Sequence, residues 1–117
     1  MTTTIAPPTS GSFASFETVA PATVAEWLRA GTCVLVDVRE PRETARERIP
    51  GALLLPLSEF DPAAIPDPKG RQVVFSCASG IRSARASEIA QAAGLPYRSH
   101  LAGGIIAWKA AGLPTET

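Results

Sequence analysis

The chain has 117 residues, 45% of them hydrophobic, and its eleven basic and eleven acidic side chains leave no net charge. This size and composition predict one compact domain with a single core. The balanced charge, with no basic run, disfavours a nucleic-acid partner. Because the longest apolar stretches are far shorter than a membrane span and the start of the chain lacks the features of a signal sequence, we expect no membrane contact and a cytoplasmic location.

The two cysteines, Cys33 and Cys77, are the first candidates for chemistry. They are too few for a disulfide framework and lack the paired spacing of a zinc site. We therefore expect reduced thiols, with no metal and no cofactor.

The first half of the chain predicts a tail, a helix and a buried strand. Residues 1–16 are dominated by Thr, Ser, Pro, Ala and Gly, which predicts a flexible tail ahead of a single domain at 17–117. Apolar residues at helical spacing, stopped by Gly31, predict a helix at 22–30. The β-branched run at 33–38 is typical of a strand buried on both faces of a parallel sheet.

The second half alternates strands with helices. A polar helical stretch leads to a turn at 49–52, and three short apolar runs follow along the chain. Helical patterns that end at Gly94 and Gly112 separate or follow these runs. This alternation predicts an open α/β sheet. The predicted strands are 53–55, 72–76 and 97–101, and the predicted helices are 83–93 and 105–111.

The segment from Cys77 to Ser83 joins a strand to a helix, where open α/β sheets bind ligands. Small residues and Gly80 allow successive backbone N–H groups to converge on one point, to which the helix start adds positive potential. An anion, or a thiol held as thiolate, would be stabilised there. Arg82 in the first helical turn opposes the helix dipole and needs a bound anion or a carboxylate, for which Asp37 is a candidate. The prediction requires a Cys77 sulfur that is anionic near neutral pH and not walled off from solvent.

Four stretches carry a resemblance to a known family: 35–40, 49–52 with Pro56 after it, 77–83, and 101–108 leading to 111–114. From about Val19 to Pro114 the chain resembles the single-domain rhodanese-like sulfurtransferases. The resemblance implies an open, mostly parallel five-stranded sheet with helices on both faces.

The same resemblance implies that Cys77 is the catalytic residue of a thiosulfate sulfurtransferase. Cys77 would take sulfane sulfur from thiosulfate or a related small anionic donor, become a persulfide, and pass the sulfur to cyanide, a thiol or a protein acceptor. It leaves the physiological donor and acceptor and the oligomeric state open. The loop that would bind the donor consists of Ala78, Ser79, Gly80, Ile81, Arg82 and Ser83.

Two sequence features bear on the alternatives. Glu47-Arg48 stands where the family usually carries Gly-His, which puts in doubt any donor preference inferred from that loop. Only four residues separate Cys77 from Arg82, whereas phosphatases of this fold have one more, so the short loop favours sulfur over a phosphatase or arsenate reductase. A non-catalytic sulfur carrier or regulatory module is the other alternative.

Several other residues have a structural interpretation as well as a functional one. Cys33 is expected to pack in the core. Asp37 and Arg39 are expected to form an internal ion pair, although they could also shape the rim of the site. His100 is expected to be structural unless its side chain faces the carboxyl edge of the sheet.

The remaining candidates are two serines and two tryptophans. Ser79 and Ser83 could hydrogen-bond the bound sulfur, and Ser83 could instead cap the helix. Trp27 and Trp108 lie at helical spacing with other apolar residues, which predicts core positions.

Overall fold

The computed structural model describes residues 15–117, which form a five-stranded sheet. All strand pairs are parallel, and the order across the sheet is β1-β5-β4-β2-β3. The predicted five-stranded α/β sheet is therefore confirmed, and it is parallel throughout. The strands are β1 (Glu17–Val19), β2 (Cys33–Asp37), β3 (Leu53–Leu54), β4 (Gln72–Ser76) and β5 (Ser99–Leu101).

Within residues 15–117, three α-helices lie between strands and a fourth follows β5. The first begins at Pro21, whose fixed φ suits a first helical position, and stops at Gly31 in the left-handed conformation, with φ of 72°. The helices are α1 (Pro21–Ala30), α2 (Pro41–Thr44), α3 (Ile81–Ala92) and α4 (Gly104–Ala110), and two 3-10 turns lie at Leu57–Glu59 and Pro62–Ala64.

The core lies in two layers, one on each face of the sheet. Successive residues of a strand point to opposite faces, so Val74 packs in one layer and Phe75 in the other. Helices α1 and α4 cover the first face and α3 covers the second. The core positions predicted for the tryptophans hold, since Trp108 is 2% exposed and Trp27 packs against the first layer.

The start of the described chain differs from the prediction. Ser15 and Phe16, assigned to the tail, contact the domain: the Ser15 backbone hydrogen-bonds to the Gln91 side chain, and the Phe16 ring meets His100 edge-on. The rest of the predicted tail, residues 1–14, lies outside the described residues, and the assignment of 17–117 to one domain stays a prediction. Within 15–117, no helix has the length and apolarity needed to cross a bilayer.

Candidate active site

The candidate site lies at the carboxyl end of β4, where the chain turns into α3. Cys77 directly follows β4, and Gly80 precedes the helix with φ of 109°, a conformation that side-chain-bearing residues rarely adopt. This turn lets the Gly80 N–H donate to Cys77 Sγ at 3.0 Å. One backbone donor of the predicted convergence is thus observed at the sulfur, and the binding role of the loop stays a prediction.

The acidity of Cys77 results from opposing effects. Burial is the largest and raises the pKa of the thiol. The Ser83 hydroxyl, 3.5 Å from Sγ, and the backbone amides of Ser83, Gly80 and Ser79 lower it, and together they outweigh burial. The pKa of Cys77 is therefore held below that of an ordinary thiol, and the thiolate fraction is raised.

Helix α4 supports the loop from behind. The Ile105 N–H donates to the Cys77 carbonyl at 2.9 Å, and the Ile106 N–H donates to the Ala78 carbonyl at 3.1 Å. Gly104 permits this close approach, because a Cβ atom there would lie 2.3 Å from the Cys77 carbonyl oxygen. Because the carbonyls of Cys77 and Ala78 point to α4, the backbone N–H groups of the loop can point to the sulfur, as that of Gly80 does.

The access of solvent to the thiol differs from the expectation. Cys77 is only 1% exposed, whereas Ser79 and Ile81 on the loop above it are exposed, Ile81 by 79%. The sulfur thus lies beneath its own loop rather than in an open pocket, which contradicts the requirement that it not be walled off from solvent.

Arg82 pairs with a different carboxylate from the one predicted. Its guanidinium makes two contacts with Glu43 of α2, at 2.7 and 2.9 Å, whereas Asp37 pairs with Arg39. The hydrogen bond from Arg82 lowers the pKa of Glu43 to about 2. Arg82 is thus already neutralised by a carboxylate and ties α3 to α2, and the internal Asp37–Arg39 pair is confirmed.

Ser83 resolves one of the alternatives left open. It is fully buried, its hydroxyl contacts the Cys77 sulfur, and α3 has no side-chain cap at its first turn. The alternative in which Ser83 caps the helix is therefore wrong, and a contact between Ser83 and the Cys77 sulfur is observed, whereas a contact with bound sulfur stays a prediction. Ser79 contributes through its amide.

His100 is a site neighbour for which the sequence favoured a structural role, with an approach to the loop left open. Its Nδ1 lies 2.9 Å from Ser83 Oγ, so its side chain does reach the loop. The alternation of β5 carried a signal: Leu101 packs with α1 and α4, so His100 must face α3. The strand order, which places β5 beside β4, could not be predicted from the sequence.

The two residues that depart from the family pattern, Glu47 and Arg48, bind the end of the chain. The Glu47 carboxylate contacts Lys109 at 2.7 Å and Thr115 at 2.6 Å, and the Arg48 backbone pairs with Glu116. None of these contacts involves the loop at 77–83.

Two further features of the described residues locate the chemistry. A cavity of about 760 Å³ opens at the amino end of the sheet, with Arg71, Tyr97 and Arg98 in its lining, but it contains no residue of the Cys77 loop. Within 15–117, no cluster of three or more His, Cys, Asp or Glu side chains could hold a metal ion. We place the site at Cys77, because the activated sulfur is there and not in the cavity.

The family model for the rhodanese-like domain matches residues 20–111. The chain belongs to the rhodanese-like domain family. It is 43% identical over 81 residues to a sulfurtransferase of Allochromatium vinosum, a match covering 69% of this chain and 76% of that protein.

Two other relatives have no established activity. The chain is 43% identical over 98 residues to an uncharacterised protein of Synechocystis sp., covering 84% of this chain and only 55% of that protein's length. A solved structure from Rhodopseudomonas palustris, described as a protein of unknown function and possible tyrosine phosphatase, superposes with a TM-score of 0.72 at 36% identity, covering 86% of this chain and 85% of that one. The rhodanese-like fold is thus shared, and relatives of the chain include a sulfurtransferase.

Proposed function

We propose that this protein is a thiosulfate sulfurtransferase that works through a persulfide on Cys77. The observation that carries the proposal is the set of contacts to one sulfur: the Gly80 N–H donates to Cys77 Sγ at 3.0 Å and the Ser83 hydroxyl lies 3.5 Å from it, and both help lower the pKa of Cys77 despite burial. A thiolate that is stabilised without a neighbouring base is the nucleophile that sulfur transfer needs.

The reaction divides into two displacements at sulfur. The Cys77 thiolate attacks the sulfane sulfur of thiosulfate, forming an S–S bond, while the bond to sulfite breaks and sulfite leaves with the electron pair. Cyanide or the thiolate of an acceptor then attacks the outer sulfur of the persulfide, and the electron pair of the S–S bond returns to Cys77. The donors on the loop stabilise the anion at both stages.

A phosphatase would use the same cysteine on a wider loop. Four residues separate Cys77 from Arg82, and Arg82 is engaged by Glu43 at 2.7 and 2.9 Å. A phosphoryl group would have to compete with that carboxylate for the guanidinium, while a single sulfur atom needs only the amides. These two features support sulfur as the transferred group.

Intact mass spectrometry after incubation with thiosulfate tests the proposal. We expect one added sulfur atom on the wild-type chain, removed by cyanide as thiocyanate, and none on Cys77→Ala. Cys33→Ala is the matched control and should gain sulfur like the wild type. Sulfur addition to Cys77→Ala would contradict the proposal.

The carrier or regulatory alternative is separated from catalysis by turnover. A carrier would take up one sulfur and release thiocyanate at a negligible steady-state rate, whereas an enzyme would turn over many times per chain. Parallel incubations with thiosulfate, mercaptopyruvate and persulfidated small thiols would identify the class of donor, and an assay with a phosphate ester should give no product.

A further inference from the structure

Ser83 has one hydroxyl proton and three neighbours that can accept it. Its Oγ lies 3.5 Å from Cys77 Sγ, 3.1 Å from the Gly80 carbonyl oxygen and 2.9 Å from His100 Nδ1. A hydroxyl donates one hydrogen bond and accepts up to two. A neighbour that donates a hydrogen bond to Oγ cannot also accept the Ser83 proton, so the proton must go to one of the other two neighbours.

His100 can occupy either role, because the two tautomers of a neutral imidazole differ at Nδ1. If Nδ1 is bare, it accepts the Ser83 proton and takes it away from the sulfur. If Nδ1 carries the proton, it donates to Oγ, and the Ser83 proton is left to the Gly80 carbonyl or to Cys77. Of these two acceptors a thiolate carries the full negative charge and attracts the proton more strongly. Only the second arrangement gives the thiolate a hydroxyl donor.

The surroundings of His100 keep it neutral and held in place. Burial lowers the pKa of His100, and no side chain within 15–117 forms an ion pair with it. The Phe16 ring packs edge-on against the imidazole, with 6.2 Å between centroids. Its sheet neighbours are Thr18 and Phe75. The titratable or charged groups reached through Ser83 and the loop are Cys77, Arg82 and Glu43.

We propose that His100 is a positioning residue: its Nδ1–H donates to Ser83 Oγ and so directs the single hydroxyl proton of Ser83 to the Cys77 sulfur. The inference rests on the proposed function, in which that sulfur is the nucleophile. Once the persulfide forms, Sγ loses its charge and the hydroxyl turns to the Gly80 carbonyl at 3.1 Å. When the acceptor removes the outer sulfur, the returning thiolate recovers the Ser83 proton.

The tautomer can be observed directly in the wild-type chain. His100 is the only histidine, so ¹⁵N-histidine labelling of the untagged protein gives one pair of ring nitrogen signals. We expect a neutral ring with the proton on Nδ1. A neutral ring with the proton on Nε2 would overturn the proposal, and this measurement needs no variant to fold.

A pair of substitutions tests the consequence for the sulfur. His100→Asn keeps a nitrogen donor near the position of Nδ1, and His100→Phe keeps a ring without any donor. The readout is the pH profile of iodoacetamide labelling at Cys77, resolved by peptide mass spectrometry. We expect His100→Phe to move the profile to higher pH and to slow labelling roughly tenfold below the pKa, the effect of one lost hydrogen bond to a charged group. His100→Asn should stay close to the wild type.

Two results would overturn the positioning role. One is a His100→Phe pH profile that superposes on the wild type, which would mean that a ring without a donor is sufficient. The other is a His100→Asn profile displaced as far as that of His100→Phe, which would mean that a donor without the ring is not sufficient. The labelling readout is independent of sulfur transfer. If thiosulfate adds no sulfur to the wild type while the profiles differ as expected, the proposed function fails and the positioning role stands.

Discussion

Burial and hydrogen bonding have opposite effects on the acidity of the Cys77 thiol. Burial favours the neutral thiol, whereas the proposed nucleophile is the thiolate. The pKa of Cys77 is raised by burial and lowered by the Ser83 hydroxyl and the amides of Ser83, Gly80 and Ser79, with the lowering effects larger in sum. The amides belong to the backbone, so removal of the Ser83 hydroxyl leaves them in place. The Ser83 hydroxyl is the one side-chain donor in this set.

Ser83→Ala is therefore expected to raise the pKa of Cys77. Losing a hydrogen bond to a charged group costs about 1.5–3 kcal/mol, so labelling of Cys77 by iodoacetamide below the pKa should slow by about tenfold or more. Ser79→Ala is the matched control, because the Ser79 side chain is exposed and only its amide acts on the sulfur. Equal pH profiles for the two variants would contradict this account.

Gly104 is a second residue on which the loop depends. A Cβ there would lie 2.3 Å from the Cys77 carbonyl oxygen, so Gly104→Ala must push the loop away from α4. Gly31→Ala is the control for backbone strain alone, since Gly31 also has positive φ but its Cβ would meet nothing within 4 Å. We expect Gly31→Ala to cost about 1–2 kcal/mol of unfolding free energy. In urea unfolding, Gly104→Ala should cost more, and it alone should abolish persulfide formation.

Among the secondary-structure elements, the strands predicted most closely were those whose apolar sequence pattern follows from burial. The largely buried runs of β2 and β4 were predicted closely, because most positions on both faces of these strands are buried. The edge strand β1 carries only one buried residue, Val19, so its pattern does not stand out, and only the family resemblance supplied a fifth strand. Pairing between distant elements was harder to predict: Arg82 pairs with Glu43 of α2, whereas the predicted partner Asp37 is already paired with Arg39.

The Arg82–Glu43 pair links α3 to α2 and makes a pH-dependent contribution to stability. The pKa of Glu43 is lowered from 4.5 to about 2 by Arg82. A depressed carboxyl pKa stabilises the fold above its unfolded value, and this stabilisation is lost as the pH falls from about 4.5 through about 2. Both side chains are about a third exposed, so solvent screening limits the contribution to about 1 kcal/mol.

Urea unfolding of Glu43→Gln across this pH range tests the linkage. We expect a loss of about 1 kcal/mol near neutral pH that shrinks towards zero at about pH 2. The control is Glu88→Gln, which removes the Arg85–Glu88 pair within α3, whose arginine is 60% exposed, and should cost less than about 0.5 kcal/mol. A loss for Glu43→Gln that does not change with pH would contradict the linkage.

At the scale of the whole molecule, the parallel sheet gives its two ends different chemistry. All five strands run the same way, so Cys33 begins β2 at the amino end and Cys77 follows β4 at the carboxyl end. Both residues are buried, at 6% and 1% exposure. Burial raises the pKa of Cys33, with only a partial opposing effect from Arg71, whereas the hydrogen bonds at the other end lower that of Cys77.

The two cysteines should therefore react differently in the folded protein even though exposure alone predicts that both are inert. Both cysteines belong to a core layer, but Cys77 directly precedes the short 78–81 segment, whose local opening we expect to expose it, whereas Cys33 needs wider unfolding before it meets a reagent. We expect iodoacetamide to label Cys77 first, near neutral pH, and to label Cys33 only in urea. Native Cys77→Ala should then take no label. If Cys77 also reacts only under unfolding conditions, its loop does not open, and the sulfur cannot serve as the nucleophile in the fold described.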